Sequence, residues 1–571
     1  MERFNSPDGA LAVEVDPAGT VTVERDGARV LDPSPFGLLT PYGYFPEDYE
    51  LTDVETNEID DSYGLPHGKQ SEYRHRALAA TLSFEADRGT VALDIRVAND
   101  GLAYRYRVSG DNDQYLLPGD DSGFRFPPET VAWLSEYQAN HEGHSRQAPV
   151  TALDGEYNLP GLFRTGDTWT LVCEAGADDR WMAGRLTDAD GDAPGVDVAF
   201  PTSSPRAHTW SHEEPTTPWR VAIIGDLDTV VESTLVTDLV DGSRIDHDWV
   251  EPGRVAWSWW SSGSDVRTLD RQQEYVDYAA ERGWEYVLVD LGWDAEWVPD
   301  LVEYAHERDV GVELWAHFLD LNTESKRAER LGTWADWGVD GIKVDFMDSD
   351  DQDRLQFYED LAAAAAEHEL TVNFHGSAVP TGLRRRWPHV MTYEGVRGAE
   401  YYKWATNTPE HNATLPFTRN VVGSMDYTPV TFSAANRTTS LGHELGQSVV
   451  YESALQHFAD SIETYAEYPL AEAVLEAVPA AWDETRFLRG HPGSEATFAR
   501  RRGDDWFVGC ITAGPDRTVA VPLAFLDEAR TATVTTDAAD GTALTEYEEQ
   551  VGPDSTLTVP IAANGGFVVR L

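Results

Sequence analysis

Residues 251–482 alternate short apolar segments with helical patterns, and this alternation limits the possible folds more than any other feature of the chain. It predicts strands at residues 255–260, 286–290, 310–315, 341–346, 370–375 and 390–393, with strands seven and eight less clear. The apolar residues from Val449 to Ile462 predict a helix at the end of the region. A doubly wound open sheet is the alternative, but it often carries a glycine-rich turn after its first strand. Tryptophans and serines stand there instead, so we predict a (β/α)₈ TIM barrel.

The sequences before and after this region are typical of β structure. A chain of 571 residues is too long for one core. Short alternating runs separated by Gly, Asp, Asn and Pro predict an N-terminal β-super-sandwich, and runs rich in β-branched and aromatic residues predict a C-terminal β-sandwich. The predicted domains are residues 1–247, 248–482 and 483–571. The fold class is therefore multidomain, a central α/β barrel between two all-β domains.

The charge balance is strongly acidic. The chain has 43 basic and 100 acidic residues, a formal net charge of −57. Nucleic acid is excluded as a partner because phosphate contacts need clustered Lys and Arg. A self-repelling surface of this kind suits high salt, where charges are screened over a few ångströms, so we expect a halophilic source.

The sequence carries no membrane signal. No segment reaches the roughly 20 apolar residues of a membrane span. The first residues lack a basic region followed by an apolar stretch, which favours a cytoplasmic location. The oligomeric state, monomer or homodimer, is left open.

Polar residues follow the predicted barrel strands, and barrel active sites lie at those carboxyl ends. Each acid taken alone is most simply a solvated carboxylate, but several acids, histidines and tryptophans meeting at one end predict an active site. The strand-end set is Asp290, His317, Asp345, His375 and Glu394, with Glu400 six residues further on. Sugar is the expected ligand, because pyranose C–H faces pack on indole. The tryptophans beside these ends are Trp257, Trp259, Trp260, Trp293, Trp315 and Trp404.

Glycoside cleavage needs two carboxyl groups, one to protonate the leaving oxygen and one to attack the anomeric carbon or to activate water. Asp345 is the candidate nucleophile. Lys343 lies two residues earlier on the same strand face, and its ammonium favours an ionised Asp345. The loop at residues 393–400 is expected to supply the acid.

From about residue 250 to the end, the chain resembles glycoside hydrolase family 97. In the N-terminal region the resemblance is limited mainly to Cys173-Glu174-Ala175. The motifs that carry it occur in order and at consistent spacing: GIKVDFMD (341–348), NFHG (373–376), PTGL (380–383), YEGVRGAE (393–400), LPFTR (415–419), MDYTP (425–429), QHFADS (456–461) and PAAWDET (479–485).

The resemblance implies a choice between two mechanisms. Inverting α-glucosidases of the family carry a base glutamate directly after the strand-five histidine, where this chain has Gly376. Retaining α-galactosidases use an aspartate at the end of strand four, which matches Asp345, and Glu400 then matches the acid/base. We therefore predict retention, with the two carboxyls about 5–5.5 Å apart.

The resemblance also implies a calcium ion beside the catalytic carboxylates. Its ligands map onto Glu394, Glu400 and an N-terminal glutamate, for which we predict Glu174. An oxygen-only, carboxylate-rich set suits Ca²⁺.

The expected activity is that of a retaining, exo-acting α-glycosidase, foremost an α-galactosidase. Further substrate-binding residues are expected to be Lys343, His375, Arg397, His317, Trp315 and Asp290. A salt bridge is the alternative role for Arg397, and a structural role is the alternative for His317. Three other functions stay open: an α-glucosidase of the same family, a metal-dependent sugar lyase or isomerase, and a non-catalytic sugar-binding protein.

Overall fold

The computed structural model describes residues 1–112, 114–178, 180–189, 193–200, 209–261, 267–539 and 541–571. Its N-terminal part is a β sandwich built around a 16-stranded antiparallel sheet. Alternation explains the local structure: Leu11, Val13 and Val15 are buried, while the residues between them are partly exposed. The elements are β1 Glu2–Asn5, β2 Leu11–Asp16, β3 Thr20–Arg25, β4 Ala28–Pro35, β5 Leu38–Thr40, β6 Gly43–Phe45, β7 Glu50–Gly64, β8 Glu72–Glu85, β9 Gly89–Ala98, β10 Gly101–Gly110, β11 Tyr115–Leu117, β12 Gly123–Arg125, β13 Val131–Glu136, β14 Ser145–Pro149, β15 Glu156–Thr165, β16 Thr168–Ala175, β17 Arg185–Asp188, β18 Gly195–Ala199, β19 Thr209–Ser211, β20 Trp219–Gly225, α1 Leu227–Glu232 and α2 Leu235–Asp238.

The central part is a parallel barrel. Its strand order is β26-β25-β24-β23-β22-β21-β27, with β21 Gly253–Trp257, α3 Leu269–Arg282, β22 Tyr286–Val289, α4 Val298–His306, β23 Gly311–His317, α5 Glu324–Asp336, β24 Gly341–Asp345, α6 Gln352–Ala366, β25 Thr371–Phe374, α7 Leu383–Arg386, β26 Val390–Tyr393, α8 Pro409–Asn412, α9 Leu441–Val450, β27 Leu455–Phe458, α10 Ile462–Ala466 and α11 Pro469–Ala477. Threonine caps begin two of the outer helices, since Thr268 accepts from Arg271 N and Thr323 accepts from Lys326 N. The predicted barrel class is confirmed.

The barrel closes differently from the prediction. The helix predicted from Val449 to Ile462 is wrong, because α9 ends at Val450, Tyr451 is extended and β27 follows. β27 pairs in parallel with β21, with Gly253 opposite Leu455. Among the described residues the sheet has seven paired strands, and an irregular segment fills the gap: Asp426 N donates to Tyr393 O at 2.8 Å and Ala459 N donates to Pro429 O at 3.3 Å.

The C-terminal part is a second all-β unit. It consists of β28 Glu484–His491, β29 Glu495–Arg502, β30 Asp505–Thr512, β31 Arg517–Pro522, β32 Arg530–Asp537, β33 Leu544–Val551, β34 Thr556–Ile561 and β35 Gly566–Arg570. Helix α9 of the barrel lies directly against it. A Cβ on Gly446 would lie 2.4 Å from Cys510 O, so this contact requires a glycine.

Helices of the described chain lack the combination of length and apolar composition that crossing a bilayer requires.

Candidate active site

A cavity of about 420 Å³ opens at the carboxyl ends of the barrel strands. Its size falls within the range of about 300–1,000 Å³ that is usual for small-molecule sites. Loops after several strands and one N-terminal loop line it. The lining residues are Asn140, Glu142, Trp259, Asp290, Leu291, Trp315, Lys343, Asp345, Phe346, Asp348, His375, Gly376, Glu394, Glu400, Tyr401 and Trp404.

Asp345 is fixed at the end of β24 by two donors. Trp315 Nε1 on the neighbouring strand β23 donates to its Oδ2 at 3.0 Å, and Phe346 N donates to its Oδ1 at 2.6 Å. Phe346 has a φ of 64°, a left-handed conformation that is rare for an aromatic residue. Strain of this kind often marks functional sites. The carboxylate is therefore held in one orientation while it stays open to the cavity.

Lys343 places a buried positive charge among carboxylates. Its Nζ lies 3.1 Å from Asp290 Oδ2 and 3.6 Å from Glu400 Oε1. Burial lowers the pKa of Lys343, but Asp290, Glu400 and the nearby Asp345 outweigh it and leave that pKa raised. Asp290 also accepts from Trp257 Nε1 at 2.8 Å. Lys343 thus stays charged within reach of both predicted catalytic groups.

His375, Glu394 and Glu400 form a compact cluster. One ligand atom from each lies within 4.8 Å of the others, a spacing that could hold a metal ion. His375 Nδ1 is 3.3 Å from Glu394 Oε2 and 3.8 Å from Glu400 Oε1, and Gly376 N donates to Glu394 at 2.8 Å. Burial raises the pKa of Glu400 to about 7, and Glu394 adds to this effect although Lys343 opposes it.

A glutamate of the N-terminal sandwich reaches the same cluster. Glu142 lies in the loop between β13 and β14 and accepts a hydrogen bond from Tyr401 Oη. Burial, with Glu394 and Glu400 adding to it, raises the pKa of Glu142 to about 9. Three carboxyl groups therefore crowd one side of the cavity, and their mutual repulsion and burial oppose the ionisation of Glu142 and Glu400.

Behind His375, a chain of buried groups crosses the barrel interior. His375 Nε2 donates to Asp426 Oδ2 at 2.7 Å, and Asn373 Nδ2 donates to the same oxygen at 2.7 Å. His457 Nδ1 lies 3.0 Å from Asp426 Oδ2, and its Nε2 donates to Glu313 Oε2 at 3.1 Å. This network fixes the ring of His375 so that its Nδ1 faces Glu394 and Glu400.

Two predicted binding residues lie outside the cavity lining of the described chain. Arg397 donates from Nε to Asn407 Oδ1 at 2.9 Å and stacks its guanidinium 3.7 Å from the ring centre of Tyr401. His317 accepts from Leu319 N at 3.1 Å and stacks on Phe346, with ring centres 5.1 Å apart. Each therefore packs against a residue that lines the cavity: Arg397 against Tyr401, and His317 against Phe346.

The structure disagrees with the choice of Glu174 as a metal ligand. Its carboxylate is buried in the sandwich, where Arg220 Nη1 donates to it at 2.5 Å and Gly184 N donates at 3.0 Å. Glu174 lines a different, small cavity. Because its oxygens are already bound by Arg220 and Gly184, it is unsuited to the predicted role. Glu142 is the N-terminal glutamate beside Glu394 and Glu400.

Arg220 links two buried carboxylates of the sandwich, since it also donates to Asp120 at 2.7 and 3.0 Å. We predict that Arg220→Met lowers the free energy of unfolding by about 3–5 kcal/mol, because Glu174 and Asp120 are left as uncompensated buried charges. Urea unfolding measures this. Arg74→Met, which removes an exposed bidentate pair with Asp60, is the control and is expected to change little. An equal loss in the two variants would contradict the prediction.

No role is predicted from sequence for several residues that line the cavity or lie behind His375. Glu142 and Asn140 lie in a polar loop between two sandwich strands, and no periodicity marks that loop as part of a barrel site. Asp426 and His457 belong to motifs quoted above, MDYTP and QHFADS, and buried polar residues within such motifs were the available signal.

The chain matches three sequence models in order: the glycosyl-hydrolase 97 N-terminal domain over residues 4–241, glycoside hydrolase 97 over residues 249–396, and the glycosyl-hydrolase 97 C-terminal oligomerisation domain over residues 481–571. A probable retaining α-galactosidase from Streptomyces bingchenggensis is 40% identical over 96% of this chain and 88% of its own length. A retaining α-galactosidase from Bacteroides thetaiotaomicron is 28% identical over 99% and 96%. The crystal structure of a β-arabinopyranosidase superposes with a TM-score of 0.93 at 26% identity, over 100% of both chains. The chain belongs to glycoside hydrolase family 97.

Proposed function

We propose that this glycoside hydrolase is a retaining, exo-acting α-glycosidase that prefers α-galactosides. One observation carries the proposal: Asp345 and Glu400 line the same cavity of about 420 Å³, and the buried Lys343 ammonium lies 3.6 Å from Glu400. The names of the two curated relatives, both retaining α-galactosidases, support the choice of sugar.

In the proposed mechanism, Asp345 attacks the anomeric carbon and forms a covalent glycosyl ester. Glu400 gives its proton to the oxygen of the breaking glycosidic bond, so the leaving group departs as a neutral alcohol. Water then attacks the same carbon while Glu400 takes back a proton, which frees Asp345. Two inversions give net retention. Lys343 and Trp315 orient the acids throughout.

The backbone at Gly376 supports retention. Inversion would need a base on the far side of the sugar, and the resemblance places that base at this position. Gly376 has a φ of 55°, and a Cβ there would lie 3.2 Å from Phe346 Cα and from Asp348 Oδ1. A glutamate is therefore disfavoured here by backbone and by space.

The carboxylate cluster fits a calcium ion. Glu142, Glu394 and Glu400 supply hard oxygen donors, and the crowding that raises the pKa of Glu142 and Glu400 favours a bound cation that would let all three ionise. When bound, calcium would supply positive charge that holds the acids in place. The network behind His375 holds that ring beside Glu394 and Glu400.

We predict that Glu142→Gln weakens Ca²⁺ binding by about 10-fold or more, because one of three carboxylates is lost. Isothermal titration calorimetry on the EDTA-treated enzyme measures it. Glu174→Gln is the matched control, since it neutralises the N-terminal glutamate that Arg220 binds, and we expect its Ca²⁺ affinity to be unchanged. The reverse ranking would restore Glu174 as the ligand.

β-L-Arabinopyranose is the second candidate sugar, because the similar crystal structure is that of a β-arabinopyranosidase. This sugar has the ring stereochemistry of α-D-galactose without the C6 hydroxymethyl group. The test compares kcat/KM for the p-nitrophenyl α-D-galactoside, β-L-arabinopyranoside and α-D-glucoside. The α-galactoside is expected to be best. A higher kcat/KM for the arabinoside or the glucoside would replace galactose as the proposed sugar. No turnover of any of the three substrates would overturn the proposed function.

A further inference from the structure

Exposed apolar side chains concentrate at the mouth of the active-site cavity. Among the described residues, eight large hydrophobic side chains are strongly exposed, and three of them line this one cavity: Trp404 at 65%, Phe346 at 47% and Leu291 at 39%. A fourth, Leu319, donates its backbone N–H to His317, whose ring stacks on Phe346. We call these exposed side chains at the cavity mouth the rim. In a chain with a formal net charge of −57, a cluster of exposed apolar side chains of this kind indicates a binding surface.

Three tryptophans connect this rim to the floor of the site. Trp257 is fully buried and donates to Asp290, while Lys343 Nζ lies 4.5 Å from its ring centre. Trp259 lies nearly parallel to Trp257, with ring centres 5.8 Å apart, and Trp404 is tilted by 56° at 6.5 Å from Trp259. The rings thus step outward from the catalytic groups to solvent.

The outer rings are held in place before any ligand arrives. Lys403 Nζ lies 3.8 Å from the Trp259 ring centre and donates to Trp259 O at 3.1 Å. Tyr401 meets Trp404 edge-on at 6.0 Å, and Tyr401 itself bonds to Glu142. An exposed ring that is already supported by such contacts needs little ordering when it binds a flat partner.

We propose that Trp404, which lines the same cavity mouth as Phe346, is the platform for the leaving group, and that the natural substrates carry a neutral sugar ring there. This inference rests on the proposed function. The floor carboxylates and Lys343 bind the sugar that is cleaved, so a ring beyond the scissile bond reaches the rim. The rim's apolar character favours the C–H face of an uncharged pyranose over an anionic or highly polar group.

The test compares two substrates that share the cleaved sugar. Melibiose has a glucose leaving group, whereas α-D-galactosyl fluoride has no ring beyond the scissile bond. The value of kcat/KM depends only on the steps up to departure of the leaving group. Trp404→Ala is therefore expected to lower kcat/KM for melibiose by about 10-fold and to change kcat/KM for the galactosyl fluoride by less than about twofold. Trp404→Phe should recover most of the loss.

Trp210→Ala is the matched control, because Trp210 is 52% exposed and is not part of the cavity lining of the described chain. It should leave both substrates unchanged. An equal fall in kcat/KM of Trp404→Ala on the two substrates, or no fall on melibiose, would contradict the proposal that Trp404 binds the leaving group.

If the unsubstituted enzyme releases a sugar other than galactose, the proposed sugar is wrong but the proposed role of Trp404 is still testable. The comparison then uses the disaccharide and the glycosyl fluoride of that sugar, with the same expected results.

Discussion

Asp345→Gly should reduce hydrolysis of an aryl α-galactoside by about 10⁴-fold or more, and added azide should restore product formation. The variant lacks the group that attacks the anomeric carbon, and the loss of a covalent catalyst is of this order. Azide fits the space left by the side chain and attacks from the same face. The product should therefore be β-galactosyl azide, with inverted configuration.

The control for this result is Asp348→Asn, which removes another carboxylate of the same cavity. It should lose far less activity and show no response to azide. Product analysis by NMR identifies the azide and its configuration. An Asp345→Gly enzyme that keeps a tenth of the activity, or that never forms the β-azide, would assign the nucleophile to another residue.

Glu400→Gln is the second large effect. We expect kcat/KM for melibiose to fall by about 10²–10⁴-fold, because general acid catalysis contributes that much when the leaving group is a poor one. Fluoride needs no proton to leave, so kcat/KM for α-galactosyl fluoride should fall much less. Steady-state kinetics on the two substrates separates acid catalysis from a general loss of the site.

Glu394→Gln is the matched control, since Glu394 lies in the same cluster but is proposed only as a metal ligand. It should lower the activity on both substrates alike, and excess Ca²⁺ should recover part of it. A Glu400→Gln enzyme that loses both substrates equally would contradict the acid role and leave Glu400 a ligand.

Most barrel strands are predictable to within a few residues because they are short apolar runs, several of which end in or directly before a polar side chain. β24, for example, runs from Gly341 to Asp345 and was predicted as 341–346. The strand Leu455–Phe458 was missed because a short apolar run next to a helix looks the same in either structure. Pairing with β21, far away in sequence, makes it a strand.

Strand-end position predicts most of the residues that gather at the cavity, with His317 as the exception, but not where each side chain points. Arg397 donates a hydrogen bond to Asn407 and stacks on Tyr401, and the strand and helix pattern of the sequence does not predict these contacts. The prediction of Glu174 as a metal ligand is wrong for the same reason, because its partner Arg220 lies 46 residues away on a paired strand. Which sandwich loop reaches the barrel is a tertiary property, so Glu142 could not be identified from the strand pattern.

The most direct test of retention is proton NMR of p-nitrophenyl α-D-galactoside hydrolysis at molar salt with Ca²⁺, read before mutarotation mixes the anomers. α-Galactose should be released first, because two displacements at the anomeric carbon restore its configuration. β-Galactose as the first product would contradict the double displacement and the role of Asp345 as nucleophile.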